Sequence, residues 1–247
     1  MPKFFVKSEQ IRDNNIIIKG EDVNHIINVL RMKPKEEINI CNSENGKNYL
    51  AAIQGYGKDI VECKIVEKIG SQTESNVKIT IFQGLPKFDK LELIIQKNTE
   101  IGVVKIVPVM MKRTVVKLNG KEDKKIERWR KISEIASKQS MRDIIPEVTN
   151  IKNMEDVKKQ TKDFDLFFIA YENEKKTTLK EELKKINEKQ EYNIGILIGP
   201  EGGIDEKEIE MLSSLENVRI VTLGNRILRT ETAGLVMASN IIYELEK

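Results

Sequence analysis

The chain has 247 residues, 39% of them hydrophobic, and a formal net charge of +3. This is apolar material for one large packed domain or two smaller ones, under a mildly basic surface that permits a nucleic-acid partner without proving one. A single histidine, His25, excludes most histidine-containing triads and nearly all histidine-rich metal sites. The two cysteines, Cys41 and Cys63, sit in strand-like segments without metal-ligand spacing and read as buried thiols, so no metal is expected. The apolar runs are strand-length and the first residues hold no long apolar stretch, so no membrane span is expected and a cytoplasmic location is.

In chain order, residues 1 to about 70 are β-rich, with short β-branched and aromatic runs at 4–6, 15–18, 37–41, 49–54 and 60–69 and a hairpin signal at Asn45-Gly46. Helical spacing over 23–30 predicts one helix over a small barrel, with His25 as a structural helix residue. The polar stretch 70–76 reads as a linker, which places the boundary between domains 1–71 and 72–247. From residue 77 strands alternate with helices, which implies parallel βαβ units. Strands are predicted at 77–83, 104–110, 164–170, 194–198 and 218–223, and helices at 91–101, 126–140, 179–188, 205–215 and 232–245. The Lys- and Glu-rich run 172–191 reads as a solvated helix face.

Two segments carry the chemistry. Ile194-Gly-Ile-Leu-Ile-Gly-Pro-Glu-Gly-Gly203 and Val221-Thr-Leu-Gly-Asn-Arg-Ile-Leu-Arg-Thr-Glu-Thr-Ala233 each run from a strand into a glycine loop and then a helix. In a parallel α/β sheet such loops form one site outside the carboxyl ends of the strands. Neither G-x-G-x-x-G nor G-x-x-x-x-G-K-[ST] is present, so a ligand read by loop backbone fits better than a pyrophosphate. Asp205 and Glu208 are spaced as a capping box, whereas Glu201 stands before that cap with no capping duty. Thr230 or Thr232 is expected to cap the last helix, and Glu231 suits its N-terminal end. Arg229 opposes the helix dipole there, which points to an anion or electron-rich group held beside it, with an ion pair to Glu201 or Glu231 as the alternative. In Ala136-Ser-Lys-Gln-Ser-Met-Arg142, the apolar stripe Ile126, Trp129, Ile132, Ile135 and Ala136 leaves Gln139 and Arg142 free for a site. Arg31 is a candidate phosphate contact.

With these residues in view, the whole chain resembles the ribosomal RNA small subunit methyltransferase E family of the SPOUT methyltransferases. The resemblance rests on IGPEGG followed by LGNRILRTETA, on KNTEIGV at 97–103, on ASKQSMRDIIP and on HIINVLRM. It implies an α/β fold in which a small N-terminal PUA-like β-barrel domain binds RNA and a C-terminal SPOUT-type parallel-sheet domain is tied in a trefoil knot. It further implies S-adenosyl-L-methionine as methyl donor, a homodimer, and methylation of uridine N3 in 16S rRNA, with the small ribosomal subunit as the partner that presents it. The implied cofactor pocket maps onto Leu197, Ile198, Gly199, Glu201, Gly202, Leu223, Gly224, Ile227 and Leu228. The implied catalytic set is Arg229, Arg142 and Glu201, with Lys3, Arg31, Arg142 and Arg229 on RNA. The family's usual arginine near the N-terminus is Lys3 here, a point charge without the bidentate fork. Arginine stays protonated, so Arg229 and Arg142 would stabilise charge on the uracil oxygens, with Glu201, Glu231 or water as proton acceptor. The alternatives are a SPOUT enzyme acting on another RNA such as tRNA, and a non-catalytic RNA-binding assembly factor.

Overall fold

The computed structural model describes residues 2–70, 73–118, 120 and 122–247. It forms two compact units, Met1–Glu74 with Ser137–Ile145, and Ser75–Ala136 with Pro146–Lys247. The boundary expected between residues 71 and 72 falls on Ser71 and Gln72, outside the described residues.

The first unit is a six-stranded sheet. Its strands are β1 (Lys3–Val6), β2 (Ile11–Arg12), β3 (Asn15–Lys19), β4 (Glu37–Asn42), β5 (Asn48–Gly57) and β6 (Ile60–Ile69), in spatial order β1-β4-β5-β6-β3-β2. Alternation of side chains puts Ile38 and Ile40 of β4, Ala51 and Ile53 of β5, and Val61 and Cys63 of β6 in the interior. Two register shifts between β5 and β6 bend these long strands. The Asn45-Gly46 signal does join β4 to β5, in a turn where the Gly46 N–H donates to the Asn42 carbonyl (2.8 Å) and Gly46 adopts φ +68°. Helix α1 (Glu21–Asn24) continues as a wider turn over His25–Val29, burying Val23 and Ile26. His25 lies edge-on to Phe4 with ring centroids 6.0 Å apart, in agreement with a structural role.

The second unit is a three-layer α/β fold. A parallel sheet contains β7 (Val77–Gly84), β8 (Lys105–Met110), the two-residue strands β9 (Glu147–Val148) and β10 (Lys152–Asn153), β11 (Leu166–Ala170), β12 (Tyr192–Ile198) and β13 (Val218–Val221). Its order is β10-β8-β7-β12-β11-β13, with β9 also against β8. Helices are α2 (Lys90–Glu100), α3 (Glu122–Gln139), α4 (Met154–Gln160), α5 (Leu179–Leu183), α6 (Glu206–Ser213) and α7 (Thr230–Leu245). Burial on both faces explains the nearly unbroken apolar runs of β11 and β12. One face packs Ile79, Ile81, Ile196 and Ile198 on α2, α5 and α7, and the other packs Phe82, Phe167, Ile169 and Leu197 on α4 and α6. The chain runs outward from β7 through β8 on one side and returns through β12 on the other. The carboxyl ends of β7 and β12, paired at Gln83 and Ile198, therefore flank a topological switch point.

Three expectations change. The helix expected over 179–188 ends at Leu183, because Leu179 and Leu183 are its only buried apolar residues and surface ion pairs do not extend a helix without packing. Helix α4 was not foreseen, although Asn153 caps it, accepting the Asp156 N–H at 2.9 Å. Ile135, placed in the apolar stripe of α3, is 56% exposed.

Candidate active site

The site grows from the carboxyl end of β12. The turn after Ile198 closes when the Gly203 N–H donates to the Pro200 carbonyl (2.9 Å). Glycine is required at Gly199, where a Cβ would lie 2.9 Å from Ile204 Cγ1 and 3.0 Å from the Gly203 carbonyl carbon. The capping box of α6 forms as expected: the Lys207 N–H donates to the Asp205 carboxylate at 3.2 Å, and the Asp205 N–H to Glu208 at 3.1 Å.

Glu201 is held from two sides. Its carboxylate accepts the Lys87 N–H at 3.0 Å and the Lys90 ammonium at 3.0 Å. Burial acts to raise its pKa, but these hydrogen bonds and one from its own backbone outweigh burial and leave the carboxyl below its ordinary value. Lys90 also pairs with Glu231 in the first turn of α7, at 3.5 Å, and the bond to Glu201 raises the lysine pKa. The two carboxylates that could have neutralised Arg229 are thus engaged by Lys90. Among the described residues neither Arg226 nor Arg229 has a carboxylate partner, and both are exposed.

A buried relay joins three elements. Gln83 Nε2, at the end of β7, donates to Thr230 Oγ1 (2.8 Å) and to the Gly84 carbonyl (3.0 Å), and Thr230 Oγ1 donates to the Gly199 carbonyl (2.7 Å). This corrects the capping expectation. Arg229 occupies the cap position without a side-chain bond, and the Thr230 hydroxyl, one residue into α7, is spent across the sheet end.

Between β13 and α7 the loop 223–228 runs with little internal bonding. The Gly224 N–H donates to Thr222 Oγ1 at 3.3 Å, and that hydroxyl donates to the Gly224 carbonyl at 3.2 Å. Among the described residues, the backbone N–H and C=O groups of Leu223, Asn225, Arg226, Ile227 and Leu228 have no hydrogen-bond partner in the chain. Gly224 adopts φ +116°, a conformation a side chain would strain, and the space at its missing Cβ is open.

This loop, the turn after β12 and the end of β11 enclose a cavity of about 340 Å³. Seven of the nine expected pocket residues line it: Ile198, Gly199, Glu201, Leu223, Gly224, Ile227 and Leu228. Leu197 does not, because alternation along β12 turns it into the opposite core layer. Gly202 does not either, as its carbonyl is turned to Arg113 Nη1 at 3.4 Å. Arg229 and Thr230 complete the wall beside α7. Sequence reasoning missed Lys90, Gln83 and the Tyr171, Glu172 and Lys175 stretch after β11. The last group was discoverable, since a strand beside β12 must end at the same sheet edge.

The remaining candidates belong to the first unit. Lys3, expected on phosphate, is only 6% exposed and its ammonium pairs with the Asp143 carboxylate and donates to the Met141 carbonyl at 3.1 Å. Arg142, expected to be free, is 2% exposed and forks onto Glu74, Nη2 to Oε2 at 2.5 Å and Nε to Oε1 at 3.2 Å. Both corrections have one cause: the segment after α3 is folded onto the first unit, where a buried cation needs an anion. Arg31 stays exposed, at φ +53°. Cys41 and Cys63 are free buried thiols, and burial pushes them up to about 11 and about 12. Among the described residues no group of three or more His, Cys, Asp and Glu is placed to hold a metal, and no helix is long and apolar enough to cross a membrane.

A family model of the RNA methyltransferase domain matches residues 73–242, and one of the RNA methyltransferase PUA domain matches residues 18–66. The ribosomal RNA small subunit methyltransferase E of Bacillus subtilis is 39% identical over 252 aligned positions, covering 100% of this chain and 98% of the relative. The chain belongs to the ribosomal RNA small subunit methyltransferase E family. The enzyme of that name from Mesomycoplasma hyopneumoniae is 33% identical and covers 99% of this chain and 100% of its own. Among solved structures, a ribosomal RNA small subunit methyltransferase E from Neisseria gonorrhoeae bound to S-adenosyl methionine is 28% identical. It superposes with a TM-score of 0.86 over 100% of this chain and 98% of that one. Membership makes this an RNA methyltransferase with a PUA-like N-terminal domain and assigns the α/β unit its class.

Proposed function

We propose that the chain methylates N3 of a uridine in 16S rRNA of the small ribosomal subunit, with S-adenosyl-L-methionine as methyl donor, acting as a cytoplasmic homodimer. The observation that carries the reading is the cavity at the switch point, walled by the unbonded backbone of loop 223–228 and edged by the unpaired Arg229. The residues present fit that donor. Unpaired N–H and C=O groups suit the hydrogen-bonding edge of a purine, and Ile198, Leu223, Leu228 and Ala233 supply apolar walls for its ring. When bound, the donor supplies an electrophilic methyl group on a sulfonium.

The chain's own residues then hold and polarise the acceptor. In our reading Arg229 lies against the uracil and stabilises negative charge on its carbonyl oxygens as the N3 proton leaves. In our reading Glu201 is not the proton acceptor: its carboxylate is committed to the Lys87 N–H and the Lys90 ammonium, and these bonds hold its pKa below the ordinary value. It anchors the loop before α2, and the proton leaves to water. The Gln83–Thr230–Gly199 relay keeps β7, β12 and α7 in register at the site. We propose further that the division near residues 71 and 72 separates an RNA-binding domain carrying Arg31 from the knotted catalytic domain. Lys3 and Arg142 would set the shape of that first domain, and would meet RNA only by exchanging their carboxylate partners.

An Arg229→Ala protein tests the assignment. It should fold, still bind S-adenosylmethionine, and lose about 10²–10³ in kcat at saturating donor, the usual worth of one group stabilising a developing charge. Methyl transfer at the wild-type rate would remove Arg229 from the chemistry.

A further inference from the structure

We propose that Phe88 is a stacking platform for a base of the substrate RNA next to the target nucleotide, an inference that rests on the RNA methyltransferase reading above. Phe88 is 89% exposed, and its backbone sits at φ +55° in the left-handed region. A bulky aromatic residue adopts that conformation only when its surroundings impose it. Here they do. On one side the Lys87 N–H is held by Glu201, and on the other Asp89 begins α2, its carbonyl accepting the Glu92 N–H at 3.0 Å. The next residue, Lys90, lines the cavity.

A strained loop that leaves an aromatic ring in solvent does nothing for the fold, since it adds backbone cost and buries no ring surface. Its surroundings suit RNA. Lys87, Arg226 and Arg229 are exposed cations without a carboxylate partner among the described residues, and Arg226 and Arg229 line the same cavity. Cations that track phosphates beside an aromatic ring that stacks a base are the two parts of single-strand recognition. The ring is therefore a substrate-stacking residue, and the Glu201 clamp is what positions it.

The test uses the full chain, S-adenosylmethionine and small ribosomal subunits that lack the modification, with Phe88→Gly, Phe88→Leu and Phe88→Trp. The glycine and leucine proteins should raise KM for subunits by between about fivefold and a hundredfold, the usual worth of one stacked base, with kcat within about twofold. Phe88→Trp should keep KM within about twofold, and all three should bind S-adenosylmethionine as the wild type does. Because glycine accepts the left-handed conformation, the melting temperature of Phe88→Gly should not fall, which separates lost stacking from misfolding. A wild-type KM in Phe88→Gly or Phe88→Leu overturns the proposal. So does a smaller sedimenting mass of these variants with KM unchanged, which would assign the ring to a second copy of the chain. A wild-type protein that methylates no RNA defeats both readings, whereas normal wild-type transfer with indifferent Phe88 variants defeats only this one.

Discussion

Replacing Thr230 by valine keeps the shape of the side chain and deletes the hydroxyl that links β7, β12 and α7. Thr230 is 7% exposed and Gln83 is fully buried, so neither loses its partner to bulk water. The change removes the bond from Gln83 Nε2 (2.8 Å) and the bond to the Gly199 carbonyl (2.7 Å). Gln83 retains only its bond to Gly84, and its Oε1 already has no partner. An unsatisfied buried polar group costs about 1–3 kcal/mol, and two are created. Gly199 borders the cavity, where water can reach its carbonyl, so the lower part of the sum applies: about 2–3 kcal/mol. For a chain of this size that corresponds to a melting temperature lower by about 4–12 °C. Urea unfolding followed by the fluorescence of Trp129, the chain's one tryptophan, reads the second unit directly. Thr230→Ser, which keeps the hydroxyl, should stay within about 1 kcal/mol of wild type, and Gln83→Leu with Thr230→Val should recover part of the loss. The relay would be refuted by a Thr230→Val protein within about 0.5 kcal/mol of wild type, or by a serine variant as unstable as the valine one.

Lys3→Met breaks the buried ion pair with Asp143 and should destabilise the first unit by about 3–5 kcal/mol, with partial recovery in Lys3→Met combined with Asp143→Leu; thermal denaturation of both proteins checks it, and a neutral single variant contradicts it. The pKa of Glu201 is depressed in the fold, so its clamp contributes stability above the ordinary carboxylate pKa and loses it only as pH falls through the lower folded value. The clamp is accordingly constant from pH 6 to 9, and Glu201→Gln should keep kcat for methyl transfer within about tenfold of wild type across that range; a fall of about 10²–10⁴ at every pH would make Glu201 the base. Burial raises Cys41 to about 11 and Cys63 to about 12, so neither thiol should react with N-ethylmaleimide at pH 8 until denaturant is added. Alkylation of the native protein, detected as added mass, would show that these strands open.

The strands around the site were legible because apolar runs and glycine loops are local signals, and Gly199, Gly224 and the Asp205–Glu208 box ended where their spacing said. What escaped was pairing over long sequence distance. Nothing near Lys90 says that its ammonium will lie between Glu201 and Glu231, and Thr230 reads as a cap because its partner Gln83 is 147 residues away. The same limit explains Arg142. Its place after α3 leaves it nominally free, but Glu74, 68 residues earlier, holds it. Leu197 shares its motif with cavity residues, but strict alternation along β12 points it to the other face.

The most direct test of methylation at uridine N3 is transfer of a labelled methyl group from S-adenosylmethionine to small ribosomal subunits, their stripped rRNA and bulk tRNA, followed by nucleoside analysis. The account predicts label in small subunits, recovered as N3-methyluridine. Label confined to tRNA, or recovered as any other nucleoside, would contradict it.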